Sequence, residues 1–311
     1  MAFELDSPQA KVVTKGIAVV REKQHGIATQ IFPDRLNAGA LVYKYPTILD
    51  AKMRRATEAR PGTAATKGDY KVSETTVTAR ALRMEGEVDD WERKWDAIDK
   101  VATLTELLTD KILREQEIDL VDTLNAGCTS DNGNYTDVNA DGTTNDWDDN
   151  INGNPIADIL LARRTIQGLS YIRPSEISAF LIDEQIEAAL LGRPDIQRLL
   201  RSADQGAQLN NGRLERLFGM DVRVMPFDEQ GFLDPDAETQ RVMQDDSTHT
   251  SAFVGQPGTV AGFAHVAEAL FTDTWEVKGF RMGRISVAKT FKAHMQRPLR
   301  WYQLYDPVVP S

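Results

Sequence analysis

The chain has 311 residues, more than one hydrophobic core usually serves, so two or more lobes are expected. Its 41% hydrophobic and 27% charged content is that of a globular chain, and a net charge of -11 argues against a nucleic-acid reader built on a basic face. Cys128 is the single cysteine and allows no internal disulfide, no run of about 18 apolar residues offers a membrane span, and the acidic MAFELDSPQA start is not a signal peptide.

Residues 1–39 are weakly patterned and predict an arm, mostly extended, with Val12, Val13, Ile17, Val19 and Val20 in a short strand or helix. Residues 40–88 predict a long hairpin. Its first strand is ALVYKYPTILD, confined to an edge or a bulge by Pro46, and its return strand is YKVSETTVTARALRMEGEV. The turn region is basic in an acidic protein, with Lys52, Arg54, Arg55, Arg60, Lys67 and Lys71 against Asp50, Glu58 and Asp69. A two-stranded polar ribbon is marginal alone in water, so it is expected to lie on this chain's own helix or on another subunit. A plain polar surface loop is the alternative.

Residues 89–125 predict one long amphipathic helix. Trp91, Trp95, Ile98, Val101, Leu104, Leu107, Leu108, Ile112, Leu113, Ile118, Val121 and Leu124 recur mostly at steps of three and four. At ~1.5 Å per residue it is about 50 Å long. A Gly/Asn/Asp-rich loop follows, 126–154. Pro155 then opens a helix capped by Asn154 and stopped by Gly168. EISAFLI reads as a buried strand, and Asp183 caps the helix EQIEAALLG, with a short helical stretch from Pro194. Residues 202–212 read as a polar loop, RLERLFG as a turn of helix, DVRVMPF as a strand, 229–249 as an acidic loop and SAFVGQPG as strand then turn. Val277 to Leu304 alternates as a β ribbon, with Phe280, Met282, Ile285, Val287, Lys289 and Phe291 in the pattern. The fold class is α+β without regular βαβ repeats.

Charge is segregated along the chain. Residues 128–150 hold six Asp and no Lys or Arg, whereas 278–305 carries Lys278, Arg281, Arg284, Lys289, Lys292, Arg297 and Arg300 with no acid. Opposite-sign patches of this kind suit contacts between subunits; solvated faces without a partner are the alternative.

The order of parts resembles the major capsid proteins of tailed phages, the Hong Kong 97-type fold, over roughly residues 30–305. The phrases EISAFLIDEQIEAALLG, GRLERLFGMDVRVMPF and SAFVGQPGTVAGFAHV resemble local steps of that family. The resemblance implies an N-terminal arm at 1–39, an extended hairpin loop at 40–88, a peripheral domain with a spine helix at 89–154 and 263–311, and an axial domain at 155–262. Loop 202–212 is then the first candidate for the capsomer axis. It implies a structural shell subunit rather than an enzyme, assembled in a host cytoplasm into hexamers and pentamers of an icosahedral virion head. That head encloses double-stranded DNA without sequence-specific binding and without a membrane.

The hairpin residues Arg54, Arg55, Arg60 and Lys67 are then inter-subunit contacts, and Arg297, Arg300 and Trp301 are expected to touch a neighbouring subunit, with packaged DNA as the alternative in a protein that is acidic overall. Portal and decoration proteins are implied partners. Because only about 40 residues precede the hairpin, a separate scaffold, or none, is expected rather than a fused one. No acceptor for a Lys67 crosslink is identifiable, so none is expected. An encapsulin-type compartment of the same fold is the nearest alternative.

The sharpest local motif is DVNADGTTNDWD, residues 137–148. It fits a calcium loop: Asp137, Asn139 and Asp141 offer side-chain oxygens, Thr143 a carbonyl, Asn145 a water-bridged position, Asp148 the closing acid, and Gly142 the sharp turn. Position twelve is Asp rather than Glu, and flanking helices of a full EF-hand are not evident. An Asx-rich surface loop is the alternative. No cofactor is required by the pattern, and Ca²⁺ is the candidate ion; a calcium-dependent adhesion module is the corresponding rival function. His25, His249, His265 and His294 show no zinc spacing, and Asp245, Ser247 and His249 lack a nucleophile elbow.

Overall fold

A computed structural model describes residues 8–50, 71–89, 100–139, 146–149, 152–201, 207–225, 244–246, 249–277 and 282–308. The chain divides into two compact units, one of residues 1–44, 76–120 and 263–294, the other of 45–75, 121–262 and 295–311.

The first unit opens with helix α1 (Pro8–His25) and a short α2 (Ile27–Ile31). Of the two readings for the Val12–Val20 stretch, strand or helix, the helix holds, and it runs on to His25 where mostly extended chain was expected. Thr14 and Ala18, one turn apart, are buried, while Val12, Val13 and Val20 stay exposed on another side. Strand β1 (Asp34–Leu36) follows. Strands β2 (Val42–Asp50) and β3 (Lys71–Thr78), most of whose residues belong to the second unit, pair in a two-stranded ribbon. The expected return strand is two strands. It breaks at Ala79, whose N–H donates to Leu41 O at 2.8 Å, and β4 (Arg80–Asp89) leaves the ribbon.

Strand β4 runs antiparallel to β13 (Met282–Met295), in register from Asp89 opposite Met282 to Arg80 opposite Phe291. The four-stranded sheet has the order β1-β12-β13-β4, where β12 is Gly262–Val277. The long helix, α3, is Lys100–Gly127, later than the pattern places it; Asp89 ends a strand, and Trp91 and Trp95 lie outside the described residues. Period two wins at 82–88 because Leu82, Met84 and Val88 all join the core that Leu108 and Ile112 of α3 share with Ala18, Leu270, Ile285 and Val287. A Cβ at Gly86 would collide with the Leu104 side chain, so glycine here is what lets helix and strand approach. Thr105 and Thr109, buried on α3, satisfy their hydroxyls on Val101 O and Thr105 O, each at 2.7 Å.

In the second unit the helix caps are as expected. Asn154 Oδ1 accepts from Ala157 N at 3.1 Å at the start of α4 (Pro155–Ser170), and Asp183 Oδ1 accepts from Ile186 N at 2.7 Å at the start of α5 (Glu184–Gly192). Gly168 does not stop α4; Tyr171, with φ 52, does. Helix α6 is Pro194–Arg201.

The sheet follows the path β5-β14-β11-β6-β9-β8-β7, with β10 (Gln244–Asp246) added on β11. Its strands are β5 (Tyr135–Asp137), β6 (Ala179–Asp183), β7 (Ala207–Asn210), β8 (Arg213–Leu217), β9 (Met220–Met225), β11 (His249–Gly255) and β14 (Trp301–Tyr305). RLERL is thus a strand, not helix. Asn211 (φ 51) and Gly212 (φ 82) both take the left-handed region, the signature of a tight two-residue hairpin, and pin β8 to β7. Trp147, Ile159, Ile166, Phe180, Ile186 and Leu217 are among the fully buried residues of this core.

Candidate functional site

Two charged clusters stand out, one in each unit. In the second unit, β5 runs parallel to β14, with Asp137 opposite Tyr305. The chain then leaves the sheet and returns at Trp147. Both ends of this excursion are fastened to the same short segment: Val138 N donates to Tyr305 O at 2.9 Å, and Trp147 N to Pro307 O at 2.7 Å. Trp147 is fully buried and its Nε1–H donates to Asp158 Oδ2 at 3.0 Å. The buried Arg193 holds the following turn by its carbonyls, with Nη1 on Asp149 O at 2.5 Å and Nη2 on Gly153 O at 2.6 Å. The base of the acidic loop is thereby anchored in the core.

Of the sequence-selected calcium ligands, Asp137, Asn139 and Asp148 are described, while Asp141, Thr143 and Asn145 lie outside the described residues. Asp137 Oδ1 accepts from Asn139 N at 3.1 Å, a local Asx turn. Asn139 Nδ2–H donates to Asp306 Oδ2 at 3.4 Å, and Asn139 Oδ1 is buried without a hydrogen bond. Asp146 is only 8% exposed, and its Oδ1 also lacks a hydrogen bond. Burial holds the Asp146 carboxyl above its ordinary range, and the neighbouring charges of Asp148, Asp306 and Asp149 push the same way. Among the described residues, no three carboxylate, imidazole or thiol groups already converge as a metal centre. Asp146 and Asp306 were missed by motif reading, because one sits at a non-ligand step of the loop pattern and the other at the far end of the chain.

In the first unit, Lys289 is wholly buried on β13. Its Nζ donates to Glu22 Oε1 and Asp34 Oδ2, both at 2.6 Å, and to Gln116 Oε1 at 3.0 Å. One ammonium thus joins α1, β1, α3 and β13. Arg21 adds a bidentate pair to Asp110 of α3, at 2.8 and 2.7 Å. Glu117, buried one residue from Gln116, accepts from Ile27 N at 3.3 Å; burial, the largest cause, lifts its carboxyl to about 7. His294 is pushed down to about 4 by burial and by nearby His265. His265 has Nε2 2.8 Å from Ala40 O, so that nitrogen carries the proton.

The contact residues Arg54, Arg55, Arg60 and Lys67 lie outside the described residues. Trp301 and Arg300, expected at a subunit contact, are buried within their own unit, Arg300 against Gln256. Trp301 is buried because it opens β14, an interior strand with β5 on one side and β11 on the other, and Arg300 ends the short turn Pro298–Arg300 just before it. Exposed apolar surface lies elsewhere, at Val12 (71% exposed), Val13 and Val20 of α1 and at Leu36, Leu41, Val42 and Tyr43. Cys128 is buried, which pushes its thiol pKa up and leaves it inert. No described helix is long and apolar enough to cross a membrane.

No family model matches the chain, and no curated protein matches its sequence. Solved structures do. A phage-related protein from Bordetella bronchiseptica RB50 superposes with a TM-score of 0.65 over 95% of this chain and 97% of its own, at 11% identity. The fold is the Hong Kong 97-type capsid fold. The capsid of cyanophage P-SCSP1u matches with a TM-score of 0.59 at 9% identity, over 90% of this chain and 88% of its own. The SrpI encapsulin of Synechococcus elongatus PCC 7942 matches with a TM-score of 0.55 at 12% identity, over 100% of this chain and 93% of its own. At such identities the likeness is one of fold.

Proposed function

We propose that this chain is the repeating subunit of an icosahedral protein shell, the major capsid protein of a tailed double-stranded DNA phage. The observation that carries the reading is the end-to-end match of fold: phage-related and capsid chains are covered almost completely, with no large segment of either partner left over. The fold supports a role by packing, not by catalysis. In this reading α3 is the spine, the β2–β3 ribbon with its basic turn is the extended loop, and residues 155–262 supply the capsomer axis. Exposed Val12, Val13, Val20, Leu36, Leu41 and Val42 offer apolar area to neighbouring copies. Weak contacts repeated over hexamers and pentamers add up to a stable shell. Portal, decoration and separate scaffold proteins are the expected partners, and a host cytoplasm is the expected place of assembly.

Light scattering and electron microscopy of the purified chain test this. Closed shells or capsomers are expected; a chain that stays monomeric at all concentrations overturns the reading. The encapsulin match favours a second reading, a compartment for protein cargo. Particles that co-purify with a protein and lack nucleic acid decide for it. Changing Arg54, Arg55 and Arg60 together to Glu should leave the subunit folded and block or weaken assembly; normal particles from that variant remove the hairpin from the mechanism.

A further inference from the structure

Two neighbouring stretches of the first unit are attached in different ways. From Ala28 onward the chain is held by apolar burial: Ala28, Ile31 and Phe32 are each 4% exposed or less. Helix α1, just before it, is turned the other way. Among its described side chains Thr14 and Ala18 are the buried ones, Ile17 and Val19 are half-buried, and Val12, Val13 and Val20 face out. What α1 brings to the body is charge. Glu22 Oε1 accepts from Lys289 Nζ at 2.6 Å, Arg21 makes its two bonds to Asp110 at 2.8 and 2.7 Å, and Lys11 Nζ lies 3.8 Å from Asp273 Oδ1. Lys289 is closed off, but the side chains of the other five groups are between 21% and 54% exposed, so water and ions reach them. The change of attachment falls at Gly26. Its N–H closes α1 on Glu22 O at 3.0 Å, the helical run breaks there, and Ile27 N is already tied to Glu117 Oε1.

We propose that α1 is a strap held by an ionic latch: it lifts from β12, β13 and α3 as one piece, turning at Gly26, while α2, α3 and the sheet stay folded. Ionic competition for Lys289, Asp110 and Asp273 is what lifts it. The open form is accessible because the latch does not strand its central charge. When Glu22 leaves for water, Lys289 Nζ keeps Asp34 Oδ2 at 2.6 Å and Gln116 Oε1 at 3.0 Å, and both of these acceptors belong to the body, on β1 and α3. Lifting withdraws the small Ala18 side chain from the core it shares with Leu108, Ile112, Leu270, Ile285 and Val287, so the subunit shows more apolar surface open than closed. Salt acts on this balance because the paired groups at the rim lose attraction and the parted ones are screened.

The claim is independent of the shell reading, since every group of the latch lies in one unit of one chain. Amide hydrogen exchange of the full chain tests it, with peptides of α1 compared with peptides of α3 in the same sample. The amides of α1 are expected to exchange as a block and faster than those of α3, and about tenfold faster again when KCl is raised from about 0.05 M to about 1 M, with α3 unchanged. Arg21→Gln and Glu22→Gln should each bring on part of that acceleration at low salt and flatten the salt response, while Lys23→Gln, an exposed cation of the same helix, should do neither. Thr14 and Thr272, whose hydroxyl oxygens are 3.3 Å apart, give a lock: Thr14→Cys with Thr272→Cys, once oxidised, should remove the salt response, and reduction should restore it. Cys128 is buried and stays out of that pair. If α1 exchanges no faster than α3 at any salt concentration, the proposal is overturned. So it is by a salt response that survives the oxidised pair, by an equal response in all three charge variants, or by acceleration in dilute urea without any in salt, the mark of an apolar hold.

Discussion

Lys289 and Asp146 are both charged and both buried, one in each unit. Lys289 has three acceptors on three different elements, Glu22 of α1, Asp34 of β1 and Gln116 of α3. Asp146 has acids around it and a carboxylate oxygen with no donor. The first arrangement is balanced within the chain, and its oxygens point to one atom because the elements carrying them pack on one strand. The second is unbalanced within the chain. A buried charge that closes on itself contributes to the fold; one that does not is costly to keep ionised.

Replacing Lys289 with Met should make the first region resemble the second, with Glu22, Asp34 and Gln116 losing their shared donor. A loss of about 3–5 kcal/mol in denaturant unfolding is expected. A loss below about 1 kcal/mol would mean that the network does not hold α1 in place.

Next in size is a pH effect within the first unit. Glu117 has its folded pKa raised from 4.5 to about 7, so it binds a proton more tightly when folded. Its contribution is full below about pH 4.5 and is lost as pH rises through 7, some 3 kcal/mol in all. His294 has its folded pKa lowered from 6.5 to about 4, so the unfolded chain takes the proton first. Its contribution is present above about pH 6.5 and is lost, by about 3 kcal/mol, as pH falls to 4. The two oppose each other, and the wild-type chain should show little net change from these groups between pH 7 and 4.5. Glu117→Gln should be more stable at pH 8 and should lose stability on acidification. If its pH profile parallels that of the wild type, Glu117 is not the balancing group.

The smallest effect concerns the anchor of the acidic loop. Trp147→Phe keeps the ring in the core but leaves Asp158 Oδ2 without the indole N–H, at a cost of about 1–2 kcal/mol. If Asp158→Asn then costs as much again in the variant as in the parent chain, the two side chains act independently and the loop base is less fixed than its hydrogen bonds imply.

Local chemistry was legible in the sequence. Asn154 and Asp183 cap their helices because an Asx oxygen next to an apolar-periodic run has few better acceptor roles. Pairing was less legible. Residues 80–89 follow a β-branched stretch and so read as more of the hairpin, but their partner is β13, far along the chain. Strand β12 went unread, because residues 261–267 are buried on both faces and show no alternation. RLERL carries leucines three apart, as one turn of helix would, and the Asn211–Gly212 turn overrides that spacing. The acidic loop was visible as a motif, whereas Asp306 enters it only through the parallel pairing of β5 with β14.

That pairing also bears on how the protein is made. Strand β14 lies between β5 and β11, and β13 lies between β12 and β4, so in both sheets an interior place is filled by a strand synthesised after its neighbours. A nascent chain therefore carries bare edges on β5, β11, β12 and β4 until residues 282–305 have left the ribosome. Unpaired edges are templates for other strands. Each copy of the chain thus keeps both sheets open until residues 282–305 have been made, and in that interval a chaperone has the most to protect.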